Sequence, residues 1–171
     1  VVDSGACHEN IVIGDDVDLY RFPTPYIHDG DGGRYINTWG TVIVQTPDKS
    51  WTNYSINRIM LLDKNRMTGL IPHQQHLGII HKMWSDRGEP TPFALALGAP
   101  PAVPFFSGMP IPENMSEVDV MGALYGEGVE VVNCKTVDLQ VPANSEIVIE
   151  GTISNVETAD EGPMGEFAGY M

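Results

Sequence analysis

Basic residues are scarce in this chain of 171 residues, because 9 lysines and arginines stand against 23 aspartates and glutamates, for a formal net charge of −14. Nucleic-acid backbones and anionic membrane surfaces attract lysine and arginine, so this balance argues against either as a partner. No run of 18 apolar residues occurs, and the first ten residues lack a basic stretch followed by an apolar core. We therefore expect no membrane span, no signal peptide and a cytoplasmic location.

Familiar catalytic signatures are missing as well. The chain contains no GxGxxG, GxxxxGK[ST], HExxH, GxSxG or CxxC pattern. These absences argue against the common dinucleotide-binding, P-loop, zinc-protease, α/β-hydrolase and zinc-ribbon proteins. There are two cysteines, Cys7 and Cys134, and we expect two free thiols.

Glycine and proline are plentiful, at 18 and 13 residues, and they leave little room for long helices. Two segments predict short helices, His76 to Arg87 and Ser116 to Tyr125, the second with Ser116 as its cap. Asp63-Lys64-Asn65 indicates a hairpin turn. Strands are predicted for six segments rich in β-branched and aromatic residues, namely 35–46, 53–62, 67–71, 91–99, 129–139 and 145–153. The fold class expected is mainly β with short helices (α+β).

Two glycine- and proline-rich segments need a separate interpretation. Segment 98–113 contains five prolines and predicts a long irregular loop, which is more often functional than accidental. DGDGG at 29–33 has some likeness to a calcium loop. It lacks the spaced ligands and the terminal glutamate of an EF-hand, so a tight glycine turn is favoured.

Three polar clusters are candidates for chemistry. NYSINR at 53–58 would place small polar groups on one strand face, and Arg58 should lie deep and pair with carboxylates, as a structural ion pair or a functional one. His73 and His76 could be metal ligands or ordinary residues at a helix start. Glu161 and Glu166, in a Gly/Pro turn, suit either an acid–base pair or an acidic surface turn.

Taken in order, these clusters resemble the UbiD family of reversible decarboxylases, which use prenylated FMN. The wording of WTNYSINR and SGMP is similar to the branch that includes the ferulic acid decarboxylases. The matching segments are LYRFPTPYIHDGDGGRYINTWG at 19–40, WTNYSINR at 51–58, Gln75-His76, SGMP at 107–110, SEVDVMGALYGEGVEVV at 116–132, VPANSEIVIEG at 141–151 and EGPMGEFAGY at 161–170.

The resemblance implies an architecture. Residues 1–171 would be a single domain, the central prenylated-FMN-binding domain of a longer decarboxylase whose N-terminal and C-terminal parts are absent here. That domain would be a split β-barrel like the FMN-binding domains of flavin reductases. The longer protein is expected to be a homo-oligomer.

The resemblance also implies a catalytic network. Arg58 would hold the substrate carboxylate, and Glu161 would orient Arg58. Glu166 would donate the proton that replaces carbon dioxide, from an apolar pocket around Met164 and Phe167. Flavin contacts are implied for Thr38, Ser55, Ile56, Asn57, Arg58, Gln75, Ser107, Gly108, Met109 and Pro110.

Metal sites follow from the same resemblance. Asn53, His76 and Glu117 would hold a manganese or magnesium ion that bridges to the cofactor phosphate. These oxygen and nitrogen donors suit such ions. A potassium or sodium ion is implied near Tyr54 and the 106–109 loop.

The implied activity is the non-oxidative, reversible decarboxylation of an aromatic or α,β-unsaturated carboxylic acid through a covalent prenylated-FMN adduct. A flavin prenyltransferase is implied as the supplier of the cofactor. Two alternatives stay open: an isolated flavin- or metal-binding module without turnover of its own, and an unrelated metal-dependent enzyme that uses His73, His76 and Glu117.

Overall fold

The computed structural model describes residues 1–170, in which strands predominate over three α-helices and three short 3-10 turns. The strands are β1 Tyr35–Asn37, β2 Thr41–Gln45, β3 Thr52–Ile56, β4 Ile59–Leu61, β5 Met67–Gly69, β6 Thr91–Leu97, β7 Val131–Asn133, β8 Gln140–Pro142, β9 Ile147–Ile153, β10 Gly165–Glu166 and β11 Gly169–Tyr170. The helices are α1 His76–Ser85, α2 Ala102–Ser107 and α3 Glu117–Tyr125. The predicted mainly β fold with short helices is confirmed.

The strands pair antiparallel in four separate sheets. The largest has the order β3-β2-β6-β9, the next has the order β1-β4-β5, and β7-β8 and β10-β11 form two-stranded ribbons. Within residues 1–170, none of these sheets closes into a barrel.

The four-stranded sheet is buried on both faces. On β2, Ile43 packs with Val103 of α2, in a cluster that also contains residues of α3. Its neighbour Val44 points the other way and packs with Leu77 and Ile80 of α1. This two-sided burial explains why the middle of β2, Val42 to Val44, is apolar at three successive positions rather than alternating.

The predicted strand 53–62 is wrong as a single element, because it breaks at Asn57 and Arg58. Ile56 pairs with Thr41 in the four-stranded sheet, whereas Ile59 pairs with Gly69 in the three-stranded sheet. The chain therefore leaves one sheet and enters the other at Arg58. The predicted strand 35–46 likewise divides into β1 and β2. Of the predicted strand 129–139, only Val131–Asn133 is a strand, and β8 begins after it at Gln140.

The irregular loop predicted for 98–113 is also partly wrong, because α2 lies inside it. Pro104 is the third residue of that helix. Since the first N–H groups of a helix have no intrahelical acceptor, proline at this position removes no hydrogen bond. The hairpin turn after β4 is confirmed, with the Asp63 carboxylate accepting from the N–H groups of Asn65 and Arg66.

Candidate active site

Arg58 occupies the junction between β3 and β4, and its side chain is only 14% exposed. Its Nη2 donates to Oε2 of Glu161 over 2.8 Å, and its Nη1 donates to Oε1 of Glu166 over 3.0 Å. The hydrogen bond to Glu161 is the main cause that raises the pKa of Arg58. The structure thus brings all three residues of the predicted catalytic network together, and the expectation that Arg58 pairs with carboxylates is confirmed.

Glu161 is held from two sides. Its side chain is 8% exposed, and the hydroxyl of Tyr35 donates to its Oε1 over 2.9 Å. Tyr35 lies almost wholly buried at the start of β1. Burial first, and then the hydrogen bond to Glu161, raises the pKa of Tyr35 to about 12. Tyr35 therefore fixes the orientation of Glu161 against Arg58.

Glu166 has a more open environment, with 34% of its side chain exposed. The prediction of an apolar pocket around Glu166 is correct for one of its two residues and wrong for the other. Met164 is buried against Tyr35 and Met60, but the Phe167 side chain is fully exposed. Phe167 lies at the tip of the hairpin between β10 and β11, where no other described element covers it.

The hairpin that carries Glu166 is attached to the DGDGG turn. The N–H of Gly32 donates to the carbonyl of Pro163 over 2.7 Å, and the N–H of Gly165 donates to the carboxylate of Asp31 over 2.8 Å. A Cβ on Gly32 would lie 2.0 Å from the carbonyl oxygen of Gly162, so this close approach requires glycine. The predicted tight glycine turn is confirmed.

Asn53, His76 and Glu117 converge from β3 and from the first residues of α1 and α3. Asn53 Nδ2 donates to Glu117 Oε1 over 2.9 Å, and His76 Nδ1 lies 4.0 Å from the same oxygen. Since β3 is an edge strand of its sheet, the N–H of Tyr54 is free of the ladder and donates to Glu117 Oε2 over 2.7 Å. The structure therefore groups the three side chains predicted to bind a divalent ion.

Two features of this group fit a bound cation. Oδ1 of Asn53 is buried without a hydrogen-bond partner, and Glu117 is 2% exposed without a lysine or arginine partner among residues 1–170. Burial raises the pKa of Glu117 because it desolvates the charged form. A buried carboxylate and an unpaired amide oxygen are both costly, and a manganese or magnesium ion would satisfy both.

The alternative metal site with His73 is not formed. Over residues 1–170, no three histidine, cysteine, aspartate or glutamate side chains are arranged to hold a metal ion. His73 is exposed in the turn before α1. The alternative is therefore wrong for the described part of the chain.

The residues predicted to contact a flavin lie mostly around the end of β3. Asn37 Nδ2 donates to the carbonyl of Asn57 over 2.7 Å, which holds the turn containing Thr38 beside that strand end. Ser107 Oγ lies 3.2 Å from Thr41 Oγ1, at the paired end of β2. A Cβ on Gly108 would meet Ile56 at 3.4 Å. Three segments that are distant in sequence thus meet around the end of β3.

The remaining predicted flavin contacts are exposed. Met109 and Pro110 follow α2 on the surface, and Gln75 precedes His76 at the start of α1. A cavity of about 670 Å³ lies elsewhere, against the face of α3 that carries Val118 and Gly122. The predicted catalytic and flavin-contacting residues and the three residues predicted to bind the divalent ion do not line that cavity, whereas Tyr54, near which a potassium or sodium ion is predicted, does.

A family model described as the 3-octaprenyl-4-hydroxybenzoate carboxy-lyase Rift-related domain, UbiD, matches residues 1–171. The chain belongs to the UbiD family. Pyrrole-2-carboxylic acid decarboxylase of Pseudomonas aeruginosa is 54% identical over 169 residues, which cover 99% of this chain and 34% of the relative. Ferulic acid decarboxylase 1 of Saccharomyces cerevisiae is 49% identical over 172 residues, with the same two shares.

UbiD-class structures share this fold. An evolved dimeric form of the UbiD-class enzyme HmfF from Pelotomaculum thermopropionicum, in complex with prFMN, superposes with a TM-score of 0.89 at 36% identity. The match covers 98% of this chain and 39% of that one. The present chain spans about a third of the length of the curated relatives it matches. No helix within residues 1–170 is long and apolar enough to cross a membrane.

Sequence reasoning missed two residues that hold this candidate site together, Tyr35 and Asp31. Tyr35 lies 126 residues from Glu161, and Asp31 lies 134 residues from Gly165. A tyrosine at the start of the predicted strand 35–46 and an aspartate in a glycine turn carry no local signal of such partners. Only the fold brings them to the predicted catalytic residues.

Proposed function

We propose that this chain is the cofactor-binding domain of a UbiD decarboxylase that removes carbon dioxide, non-oxidatively and reversibly, from an aromatic or α,β-unsaturated acid. The observation that carries the proposal is the largely enclosed guanidinium of Arg58 between Glu161 and Glu166. The decarboxylases that are 54% and 49% identical to this chain support it. The UbiD-class structure in complex with prFMN supports prenylated FMN as the cofactor.

Arg58 would bind the carboxylate of the substrate. Both Nη groups already donate to glutamates, whereas Nε is buried and has no partner. Because each Nη carries two N–H groups and donates one of them to a glutamate, the second N–H of each is the donor proposed for a substrate carboxylate. Glu161, held by Tyr35, keeps the guanidinium plane fixed for charge-assisted hydrogen bonds.

Glu166 would deliver the proton that replaces carbon dioxide. Its position on a short hairpin and its partial exposure give it room to approach a substrate carbon. General acids of this kind contribute about 100- to 10,000-fold to a rate. Prenylated FMN, when bound, would accept the electron pair that stays on the substrate when carbon dioxide leaves.

The remaining residues would hold the cofactor and its ions. Asn53, His76 and Glu117 would bind a manganese or magnesium ion that neutralises the cofactor phosphate, and a potassium or sodium ion would lie near Tyr54 and the 106–109 loop. The unpaired Oδ1 of Asn53 supports the divalent site. Flavin contacts are proposed for Thr38, Ser55, Ile56, Asn57, Arg58, Gln75, Ser107, Gly108, Met109 and Pro110.

We further propose that residues 1–171 are one domain of a longer, cytoplasmic, homo-oligomeric protein, supplied with cofactor by a flavin prenyltransferase. The split barrel of flavin reductases belongs to the same proposal. Its support is the stretch 52–61, which passes from the four-stranded into the three-stranded sheet without a connecting loop, as a strand shared by two halves of a barrel would.

The decisive experiment is Glu166→Gln in the full-length protein loaded with prenylated FMN. Carbon dioxide release should fall by at least about 100-fold, because the substituted amide cannot donate a carboxylic proton. Glu157→Gln is the matched control, since Glu157 is an exposed glutamate near the same segment. Full activity of Glu166→Gln would contradict the proposed function.

A flavin- and metal-binding module without turnover is the second candidate. The observation that favours it is the contrast between the enclosed group around Glu117 and the half-open surroundings of Glu166. Visible absorbance and metal content of the purified chain, measured beside carbon dioxide release, separate the two candidates. Bound flavin and metal with no carbon dioxide release by the full-length protein would favour the module.

A further inference from the structure

Asp31 is a buried carboxylate that links two distant segments. Its side chain has no exposed surface. Oδ2 accepts from the N–H groups of Ile27 and His28 over 3.0 and 2.8 Å, while Oδ1 accepts from the N–H of Gly165 over 2.8 Å. One oxygen therefore serves the local turn, and the other serves the residue directly before Glu166.

The local turn does not need this second bond. It is already closed by the N–H of Asp31, which donates to the carbonyl of His28 over 3.1 Å. The bond to Gly165 therefore acts on the hairpin that carries Glu166. The N–H of Gly165 is the largest cause that lowers the pKa of Asp31, so Asp31 remains an anionic acceptor at neutral pH.

The hairpin depends on outside support because it is very short. β10 and β11 have two residues each, and isolated two-stranded hairpins are at best marginally stable in water. Besides Asp31, two bonds from the same turn hold it: Gly32 N–H to the carbonyl of Pro163 and Gly30 N–H to the hydroxyl of Tyr170, over 2.7 and 3.0 Å. These three attachments lie on both sides of Glu166.

We propose that Asp31 is a positioning residue for the decarboxylation, because its carboxylate fixes the backbone beside Glu166 and thereby sets where Glu166 lies relative to Arg58. This inference rests on the proposed function of Glu166 as proton donor. Asp31 acts through the hairpin and does not contact the reacting groups. Its loss should therefore impair proton delivery more than substrate binding, which depends on Arg58 and Glu161.

The test compares Asp31→Asn with Asp29→Asn in the full-length protein. Asp29 is an exposed aspartate of the same turn and serves as the matched control. Asparagine has one acceptor oxygen and cannot serve both Gly165 and the turn. Without cofactor or substrate, amide hydrogen exchange across 161–170 should be about tenfold faster in Asp31→Asn and unchanged in Asp29→Asn.

The loaded enzyme supplies a second readout. In Asp31→Asn, kcat should fall about 10- to 100-fold with KM within about twofold of wild type, and the solvent deuterium isotope effect on kcat should increase. A merely structural loss of folded enzyme would lower the rate without changing that isotope effect. Equal exchange rates and equal kcat in Asp31→Asn and Asp29→Asn would overturn the inference.

Asp31→Glu guards against a variant that fails to fold, because it keeps the buried anion but displaces both oxygens from their three N–H donors. It should speed exchange across 161–170 and lower kcat by a few-fold. Should Asp31→Asn not fold, an Asp31→Glu enzyme identical to wild type in both readouts contradicts the inference. If the wild-type enzyme releases no carbon dioxide, the proposed function is contradicted instead. The hydrogen-exchange comparison then still decides whether Asp31 holds the hairpin that carries Glu166.

Discussion

Two polar groups of this structure include residues five positions apart in the sequence, Arg58 in one and Asn53 in the other. The groups differ in the source of the positive charge that faces their carboxylates. Around Arg58, the protein supplies the cation, and both glutamates are paired with it. Around Glu117, the protein supplies a buried carboxylate and an amide oxygen of Asn53 that has no partner. The first group contains its own cation, whereas we propose that the second takes one from solution.

Removing Arg58, the cation of the first group, should have the largest effect. In Arg58→Ala, Glu161 is left as a buried, unpaired carboxylate, so the free energy of unfolding should fall by about 3 kcal/mol. Carbon dioxide release should fall at least about 1000-fold, because the substrate carboxylate also loses its donor. Urea denaturation and a carbon dioxide assay measure the two effects.

Arg66→Ala is the matched control for that variant. Arg66 pairs with Asp63 on the exposed hairpin turn, where ion pairs contribute little. Its stability and activity should match wild type. If Arg58→Ala behaved in the same way, the description of Arg58 as the central charge of the site would be wrong.

Glu117→Gln tests the proposed metal site of Asn53, His76 and Glu117. Manganese at about 100 times its dissociation constant should stabilise the wild-type protein by about 2.7 kcal/mol, which raises Tm by roughly 5–10 °C. The Glu117→Gln protein should keep its metal-free stability and lose this manganese-dependent gain. Differential scanning calorimetry with and without manganese measures both.

Glu113→Gln, at an exposed glutamate shortly before α3, is the control and should keep the full manganese shift. If manganese raised the Tm of Glu117→Gln as much as that of the wild-type protein, the cation would bind elsewhere. The distinction between the two groups would then be lost.

Tyr35→Phe should lower activity less than Arg58→Ala does, although it affects the same group. It removes one donor to Glu161 and leaves Arg58 in place, so kcat/KM should fall about tenfold, equivalent to about 1.4 kcal/mol. Tyr26→Phe, at an exposed tyrosine, should leave kcat/KM unchanged. Steady-state kinetics of the two variants decide whether Tyr35 supports the network.

The pH dependence of Tyr35 is the last test. The raised pKa of about 12 means that the folded protein holds the phenol proton more tightly than the unfolded chain, whose tyrosine pKa is about 10. The resulting stability is fully present below about pH 10 and is lost as pH rises towards 12. Burial also raises the pKa of Tyr54. Absorbance titration at alkaline pH should therefore show two late-ionising tyrosines in the wild-type protein and only one in Tyr35→Phe. A Tyr35 that ionised with the exposed tyrosines would contradict its tight burial against Glu161.

The sequence predicted the strands and the polar residues better than it predicted their surroundings. The apolar run of β2 and the turn at Asp63 have local causes, so both were predictable. The break at Arg58 was not, because the apolar pattern continues through 59–62 while hydrogen-bond partners change from one sheet to another.

The candidate site shows the same limit. The residues alone left Arg58 open between a structural and a functional ion pair, and the family resemblance was needed to assign Glu161 and Glu166. The apolar pocket predicted from Met164 and Phe167 was half wrong, because sequence adjacency does not say which side of a hairpin is covered. Tyr35 and Asp31 act across more than 120 residues and needed the fold.

The passage of the chain from β3 into β4 makes it a mechanical link between the two polar groups. Asn53 lies in one sheet, and Arg58 lies at the entry to the next, with no loop between them to absorb movement. Five residues of extended chain limit the separation of their Cα atoms to roughly 17 Å. The backbone itself therefore limits how far the proposed metal site and the proposed substrate donor can move apart, whatever the surrounding side chains do.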